Sequence, residues 1–222
     1  MTAQLIGIIL NFLPLLLAIV LHEIAHGYAA WKLGDDTAKI NGRLSLNPLK
    51  HIDPAGTVIL PALLIYSGVG FVFGWAKPVP VNFSNLGNYR RDTVIVASAG
   101  IALNIVLAVF CALLLKIIPD FPEGIVLGIL NVFLINMVVY NVILAVFNML
   151  PIPPLDGSKI LFGWIMKPWA QKYIYAEKAG MLIIVAAALV LPVLGKNLGE
   201  DWNFFALYMS KVSKFFISLL IG

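Results

Sequence analysis

Apolar residues run almost without a break from Leu5 to Ala30, from Thr93 to Ile118, from Gly124 to Leu150 and from Ile174 to Leu194. Each stretch approaches or exceeds the ~20 residues that a helix needs to cross a bilayer. The pattern predicts a first spanning helix from about Leu5 to Trp31, with Pro14 as a candidate kink, and further spanning helices over the other three stretches. Thr57 to Phe73 is also apolar, but Pro61, Gly68, Gly70 and Gly74 interrupt it. From Trp202 to Ile221, Lys211, Lys214 and Ser218 share one helical face, with Phe205, Tyr208, Val212, Phe215 and Leu219 opposite. That tail reads as amphipathic, lying in the interface or along the bundle. The polar stretch from Lys32 to Pro54 is rich in turn formers. Within it, Ala38-Lys39-Ile40 and Arg43-Leu44-Ser45-Leu46 flank Asn41-Gly42, a hairpin signal. A two-stranded β-ribbon is expected there, with Val79-Pro80-Val81 as a third short strand.

Charge orients these elements. The connections Lys32 to Pro54 and Lys77 to Arg91 are both basic, whereas the turn after Ile118 carries Asp120 and Glu123. If Thr57 to Phe73 crossed the membrane, one basic connection would lie outside. If it dips in and returns, both are cytoplasmic and the acidic turn is external. The re-entrant reading is the preferred one, and it points the helix ending at Leu150 in the same direction as the first helix.

Composition agrees. The chain is 61% hydrophobic and 12% charged over 222 residues, about half the charge of a soluble domain. No polar stretch is long enough to close a core of its own. The expected fold is all-α and polytopic: a bundle of about four to six transmembrane helices with a small β-ribbon and a re-entrant segment near the cytoplasmic face. Residues 1–222 read as one membrane-embedded domain, with a core over 5–166 and C-terminal helices over 174–222. The net charge of +4 sits mostly in loops and does not argue for nucleic acid; Cys111 lies in an apolar run as a core residue. Leu5 to Ala30 is too long for a cleaved signal peptide and lacks a basic start.

Candidate chemistry lies within the first span. His22-Glu23-Ile24-Ala25-His26 places two imidazoles at i and i+4, on one helix face about one turn apart. That spacing suits two corners of a tetrahedral zinc ion, with Glu23 beside them to take a proton from an activated water. Ionisable groups at membrane depth are costly and default to a functional reading. A catalytic zinc needs a third protein ligand. His51 and Asp156 are the candidates, the latter in Asn148-Met-Leu-Pro-Ile-Pro-Pro-Leu-Asp-Gly157, where the prolines end a helix. Asp156 has an alternative use as the N-cap of a short helix over Gly157 to Met166, and position alone does not separate the two.

The sequence resembles the site-2 protease family of intramembrane zinc metalloproteases. His22-Glu-Ile-Ala-His-Gly27 matches that family's HExxH helix, and Asn148 to Gly157 its Asn-x-x-Pro-x-x-Pro-x-Asp-Gly signature. Asn47-Pro-Leu-Lys-His-Ile-Asp-Pro-Ala-Gly-Thr57 resembles a compact branch without PDZ or CBS domains, and Gly74 to Val81 and Asn88 to Asp92 extend the likeness. The likeness covers roughly Leu17 to Leu161. The resemblance implies His22, His26 and Asp156 as zinc ligands, Glu23 as general base and Asn148 as a polar group for the scissile carbonyl. His51 is then expected to hydrogen-bond the oxyanion or gate access, with a plain turn role as its alternative. One departure is visible: the family's third helix carries Ala-Gly-Pro-x-x-Asn, and this chain has Ala99-Gly-Ile-Ala-Leu-Asn104. Asn104, Asn136 and Asn141 lie in apolar helices, where helix-to-helix hydrogen bonds are their expected use.

The expected activity is zinc-dependent hydrolysis of a peptide bond in or near a transmembrane segment of a membrane protein or peptide substrate. The implied setting is a prokaryotic plasma membrane, with the site toward the cytoplasm. The alternative is a metal-ion transporter or sensor using the same His and Asp side chains.

Overall fold

A chain crossing hydrocarbon must satisfy its own backbone hydrogen bonds, and a helix does so locally. The computed structural model describes residues 2–59, 62, 63, 66, 76–118, 124–165 and 167–222. Among these there are helices and turns and no strand. Among the described residues, five helices are long and apolar enough to cross a membrane: Ile6–Lys32, Tyr89–Leu115, Ile125–Asn148, Glu177–Leu198 and Phe204–Ile221. The protein is a multi-pass integral membrane protein. We label α1 Thr2–Lys32, α2 Thr37–Ile40, α3 Tyr89–Leu115, α4 Ile125–Asn148, α5 Asp156–Phe162 and α6 Pro168–Ile174. α7 Glu177–Val185 and α8 Leu191–Leu198 are joined by a π-helical turn, and α9 is Phe204–Ile221.

α1 runs through Pro14. Proline lacks an N–H, so the carbonyl four residues earlier loses its helical partner. That carbonyl belongs to Leu10, and Asn136 of α4 donates its side-chain amide to it at 2.8 Å. The repair is a hydrogen bond between helices, the expected use of Asn136. α3 starts at a reciprocal cap: Asn88 accepts from the Arg91 N–H at 3.1 Å, and Asp92 accepts from the Asn88 N–H at 2.7 Å.

α1, α3 and α4 form the core of the bundle. His22 pairs with Asn104 and His26 with the Val96 carbonyl, so α1 and α3 are antiparallel. Asn136 reaches Leu10, and Asp156, just beyond α4, reaches His22, so α4 runs parallel to α1. At the other end of the 34–86 connection, the Gly87 N–H donates to the Leu33 carbonyl at 3.3 Å. The connection therefore returns to the side it left. The expected re-entrant segment at Thr57 to Phe73 falls mostly on residues outside those described. α9 does not float in the interface: Met209, Val212, Ile217 and Leu220 pack on a core of Ala108, Cys111, Leu134, Val138 and Val142.

The expected β-ribbon is absent. Thr37–Ile40 is one turn of helix, and Asn41-Gly42 ends it. Gly42 has φ of 61°, its N–H donates to the Lys39 carbonyl, and the Arg43 N–H donates to that of Ala38. This is the Schellman arrangement, which uses a left-handed glycine just past a helix. The residue pair that marks a hairpin also marks a helix stop, and here the stop won. Val79-Pro80-Val81 belongs to no strand and forms no ladder. Instead Arg43 grips the Lys77 and Pro78 carbonyls, the Lys77 N–H donates to the His51 carbonyl, and Asn82 donates to Asp35. Asp35 is fully buried and also accepts from Thr37 and from the Asn85 amide. Burial alone would raise its carboxyl, but these donors outweigh it and hold it below its ordinary range.

Candidate metal centre

His22 and His26 leave the same face of α1 about ten and six residues before its end. His22 therefore sits roughly 15 Å along the helix from Lys32, within the apolar stretch long enough to span a membrane. Asp156 opens α5, but Leu155 holds the N-cap position and no side-chain cap bond forms. The capping alternative for Asp156 is overturned, and its carboxylate turns to α1. Oδ2 lies 3.2 Å from His22 Nε2 and 3.2 Å from His26 Nε2, and the two Nε2 atoms are 3.0 Å apart. These three are the one group among the described residues with metal-ligand spacing. His51 is not in it.

The hydrogen bonds behind the rings decide what the cluster can hold. His26 Nδ1 lies 2.7 Å from the Val96 carbonyl, which can only accept, so Nδ1 carries a proton and the lone pair of the neutral ring is on Nε2. His22 Nδ1 lies 2.5 Å from Asn104 Oδ1, with the same consequence. Asp156 Oδ2 is buried with no hydrogen-bond donor. Two ring nitrogens and a carboxylate oxygen thus converge in a buried place, an arrangement that costs free energy unless a cation or proton sits among them. Donors about 2.0–2.1 Å from a tetrahedral zinc stand roughly 3.3 Å apart, close to the spacing here. The donor set therefore fits zinc, with one corner left for water or substrate.

Glu23 lies beside the cluster, half-buried. Its Oε2 accepts from the Val79 N–H at 2.8 Å, and no bond to its other carboxylate oxygen occurs among the described residues. Val79 can lie against α1 because Gly27, one turn on, has no side chain; a Cβ there would stand 2.7 Å from Val79 Cγ1. No residue pattern signals this support, since a backbone N–H carries no residue signature.

Asn148 is not turned to the cluster. Its amide donates to the Leu144 carbonyl one turn back on α4, at 3.1 Å. His51 is buried beneath the loop, with Nε2 donating to the Ser45 carbonyl at 2.9 Å. Two residues matter more than their sequence context implied. Gly100 of α3 faces both imidazoles, and Asn141 of α4 backs Asn104, donor to acceptor, at 2.7 Å. A second asparagine buried in an apolar helix was the available signal for Asn141.

Comparison with known proteins agrees with this chemistry. The sequence model of peptidase family M50 matches residues 122–193. YwhC of Bacillus subtilis, named as a zinc metalloprotease, is 36% identical over 176 residues, covering 78% of this chain and 77% of that protein. Rip2 of Mycolicibacterium smegmatis, likewise named, is 33% identical over 214 residues, 91% of this chain and 74% of that protein. Rip2 of Mycobacterium tuberculosis is 29% identical over 193 residues, 87% and 69% of the two chains. No solved structure matches the chain.

Proposed function

The chain belongs to peptidase family M50, the site-2 protease family of zinc metalloendopeptidases, and we propose that it cleaves a peptide bond within or beside a transmembrane segment of a membrane protein substrate. In this reading His22, His26 and Asp156 hold the zinc and Glu23 is the general base. The observation that carries it is the convergence of His22 Nε2, His26 Nε2 and Asp156 Oδ2, 3.0–3.2 Å apart, beside an apolar helix long enough to span a membrane. Zinc held there supplies a Lewis acid, which makes water nucleophilic near neutral pH and polarises a carbonyl. Glu23 takes the proton of the attacking water on the carboxylate oxygen that Val79 leaves free, and returns it to the leaving amine. The Val79 N–H fixes the carboxylate during both transfers. Asn148 serves the scissile carbonyl only if its amide leaves Leu144, a rotation that substrate binding would have to drive.

Residues 1–222 act as one domain in this reading, because C-terminal elements support the third ligand: Tyr173 of α6 donates to the Pro151 carbonyl at 2.6 Å. The site faces the cytoplasm, and substrates reach it from the bilayer. The relatives are named as proteases, which leaves the transporter alternative without support.

The test compares wild type, Asp156→Ala and Glu23→Gln in one detergent. About one zinc per chain is expected in the wild type and in Glu23→Gln, with a clear loss in Asp156→Ala. Glu23→Gln should lower cleavage of a membrane-spanning reporter by roughly 10²–10⁴-fold. Undiminished zinc in folded Asp156→Ala would sink the ligand assignment, and full cleavage by Glu23→Gln would sink the base.

A further inference from the structure

We infer that Asn141, on a helix that contributes no metal ligand, fixes His22 in its metal-binding form through Asn104. The argument starts at an atom whose role is unambiguous. The Met137 carbonyl can only accept, and Asn141 Nδ2 lies 2.8 Å from it. That contact orients the Asn141 amide, because the reverse orientation would set two oxygens against each other. Asn141 Oδ1 is therefore the end that faces Asn104, and at 2.7 Å it accepts from Asn104 Nδ2. Asn104 Nδ2 also lies 3.4 Å from the Ala18 carbonyl of α1, a second acceptor that favours the same orientation. Asn104 Oδ1 is then left for His22 Nδ1, which must donate, and the His22 lone pair is confined to Nε2, in the cluster.

Each link is buried: Asn104 and Asn141 are fully inaccessible and His22 is 6% exposed. Water cannot substitute for a missing partner there, so the polarity of the relay propagates from α4 to α1 without leakage. If the relay were reversed, Asn104 would offer its NH2 to His22 Nδ1. The imidazole proton would move to Nε2 and point at His26 Nε2 and Asp156 Oδ2, closing that ligand position. His26 needs no such help, because the Val96 backbone carbonyl holds it. Asn141 is a positioning residue for one ligand of the two.

The inference rests on His22 being a zinc ligand, so His22→Ala is the reference variant. Zinc affinity is measured by chelator competition on full-length protein in detergent, with elution and melting as checks on folding. Asn141→Leu leaves Asn104 Nδ2 without its main acceptor and should weaken zinc binding roughly 10–100-fold, the range for partners that orient a ligand. Asn141→Asp should stay within a few-fold of wild type, since a carboxylic acid that stays neutral in this dry site donates to Met137 and accepts from Asn104 as the amide does. In zinc-free protein labelled at histidine nitrogen, His22 should be Nδ1-protonated in the wild type and Asn141→Asp, and mixed in Asn141→Leu. Asn141→Ala replaces Asn141→Leu if the latter does not fold. Unchanged zinc affinity in a folded Asn141→Leu or Asn141→Ala, or an equal loss in Asn141→Asp, overturns the inference. If His22→Ala itself binds zinc as the wild type does, the ligand assignment fails first.

Discussion

Gly100 allows two imidazoles to lie against α3. A Cβ at that position would stand 2.5 Å from His26 Nε2 and 2.6 Å from His22 Cε1, and neither ring can retreat. Asn104 and the Val96 carbonyl hold them from behind, and Asp156 closes the front. Overpacking of this kind costs about 1–3 kcal/mol. Gly100→Ala should therefore weaken zinc binding by about tenfold or more while leaving the helices folded, read as zinc retained after dialysis against a chelator. Normal retention would mean that the rings have room the structure does not grant them. At this scale the three residues that the structure brings together were legible as candidates: His22 and His26 by spacing on a helix, and Asp156 by a resemblance across its proline-rich approach. Gly100 was legible as a residue and not as a role, because only the partner helix reveals what a missing side chain makes room for. Asn148 was named through the family resemblance and His51 by its chemistry, with a turn role as its alternative; in the structure the Asn148 amide donates to the Leu144 carbonyl and His51 Nε2 to that of Ser45.

α2 shows where local pattern misleads. Asn41-Gly42 is equally good as a hairpin turn and as a helix stop, and the choice fell to the Asp35 and Asp36 region ahead of it, where Asp35 ties Thr37, Asn82 and Asn85 together. Those bonds span about fifty residues of sequence, which no local window contains. Asp35 also makes the connection acid-sensitive. Its carboxyl is held below the ordinary value of 3.8, so its stabilisation is complete above that pH and is lost as pH falls through the lower folded value. Asp35→Asn should cost about 3 kcal/mol at neutral pH and remove part of the wild type's acid dependence. Thermal unfolding followed from neutral pH downward checks both, and parallel acid profiles for the two proteins would contradict the assignment. The loop before α5 has a comparable anchor: a Cβ on Gly180 of α7 would stand 1.7 Å from the Pro153 carbonyl. Gly180→Ala should displace that loop and with it Asp156, lowering zinc retention although residue 180 touches no ligand. Full retention would detach the C-terminal helices from the metal centre.

The direction of each helix decides whether the chemistry can assemble at all. His22 on α1 and Asp156 after α4 meet only if those two helices are parallel, which needs an odd number of crossings by the chain between them. α3 supplies one, and the 34–86 connection supplies none or an even number, since Gly87 returns to Leu33. Charge had pointed to the same arrangement from sequence, because loop cations are sorted by the membrane whatever the detailed path of the backbone. The path itself was less legible, since proline and glycine in an apolar segment fit a broken span and a dip equally well. The same sorting predicts orientation. The connection between α1 and α3 and the helix ends that flank it carry Lys32, Lys39, Arg43, Lys50, Lys77, Arg90 and Arg91, whereas the turn after α3 carries Lys116 beside Asp120 and Glu123. The metal-site end should therefore face the cytoplasm. Lys39 and Lys116 are both exposed, and Cys111 is buried, so single cysteines can be placed in a Cys111→Ser background. In intact cells a membrane-impermeant thiol reagent should modify Lys116→Cys and spare Lys39→Cys, and permeabilisation should expose both. Labelling of Lys39→Cys from outside would invert the molecule. The cleavage would then release its product away from the cytoplasm, while the ligand geometry inside the bundle would stand unchanged.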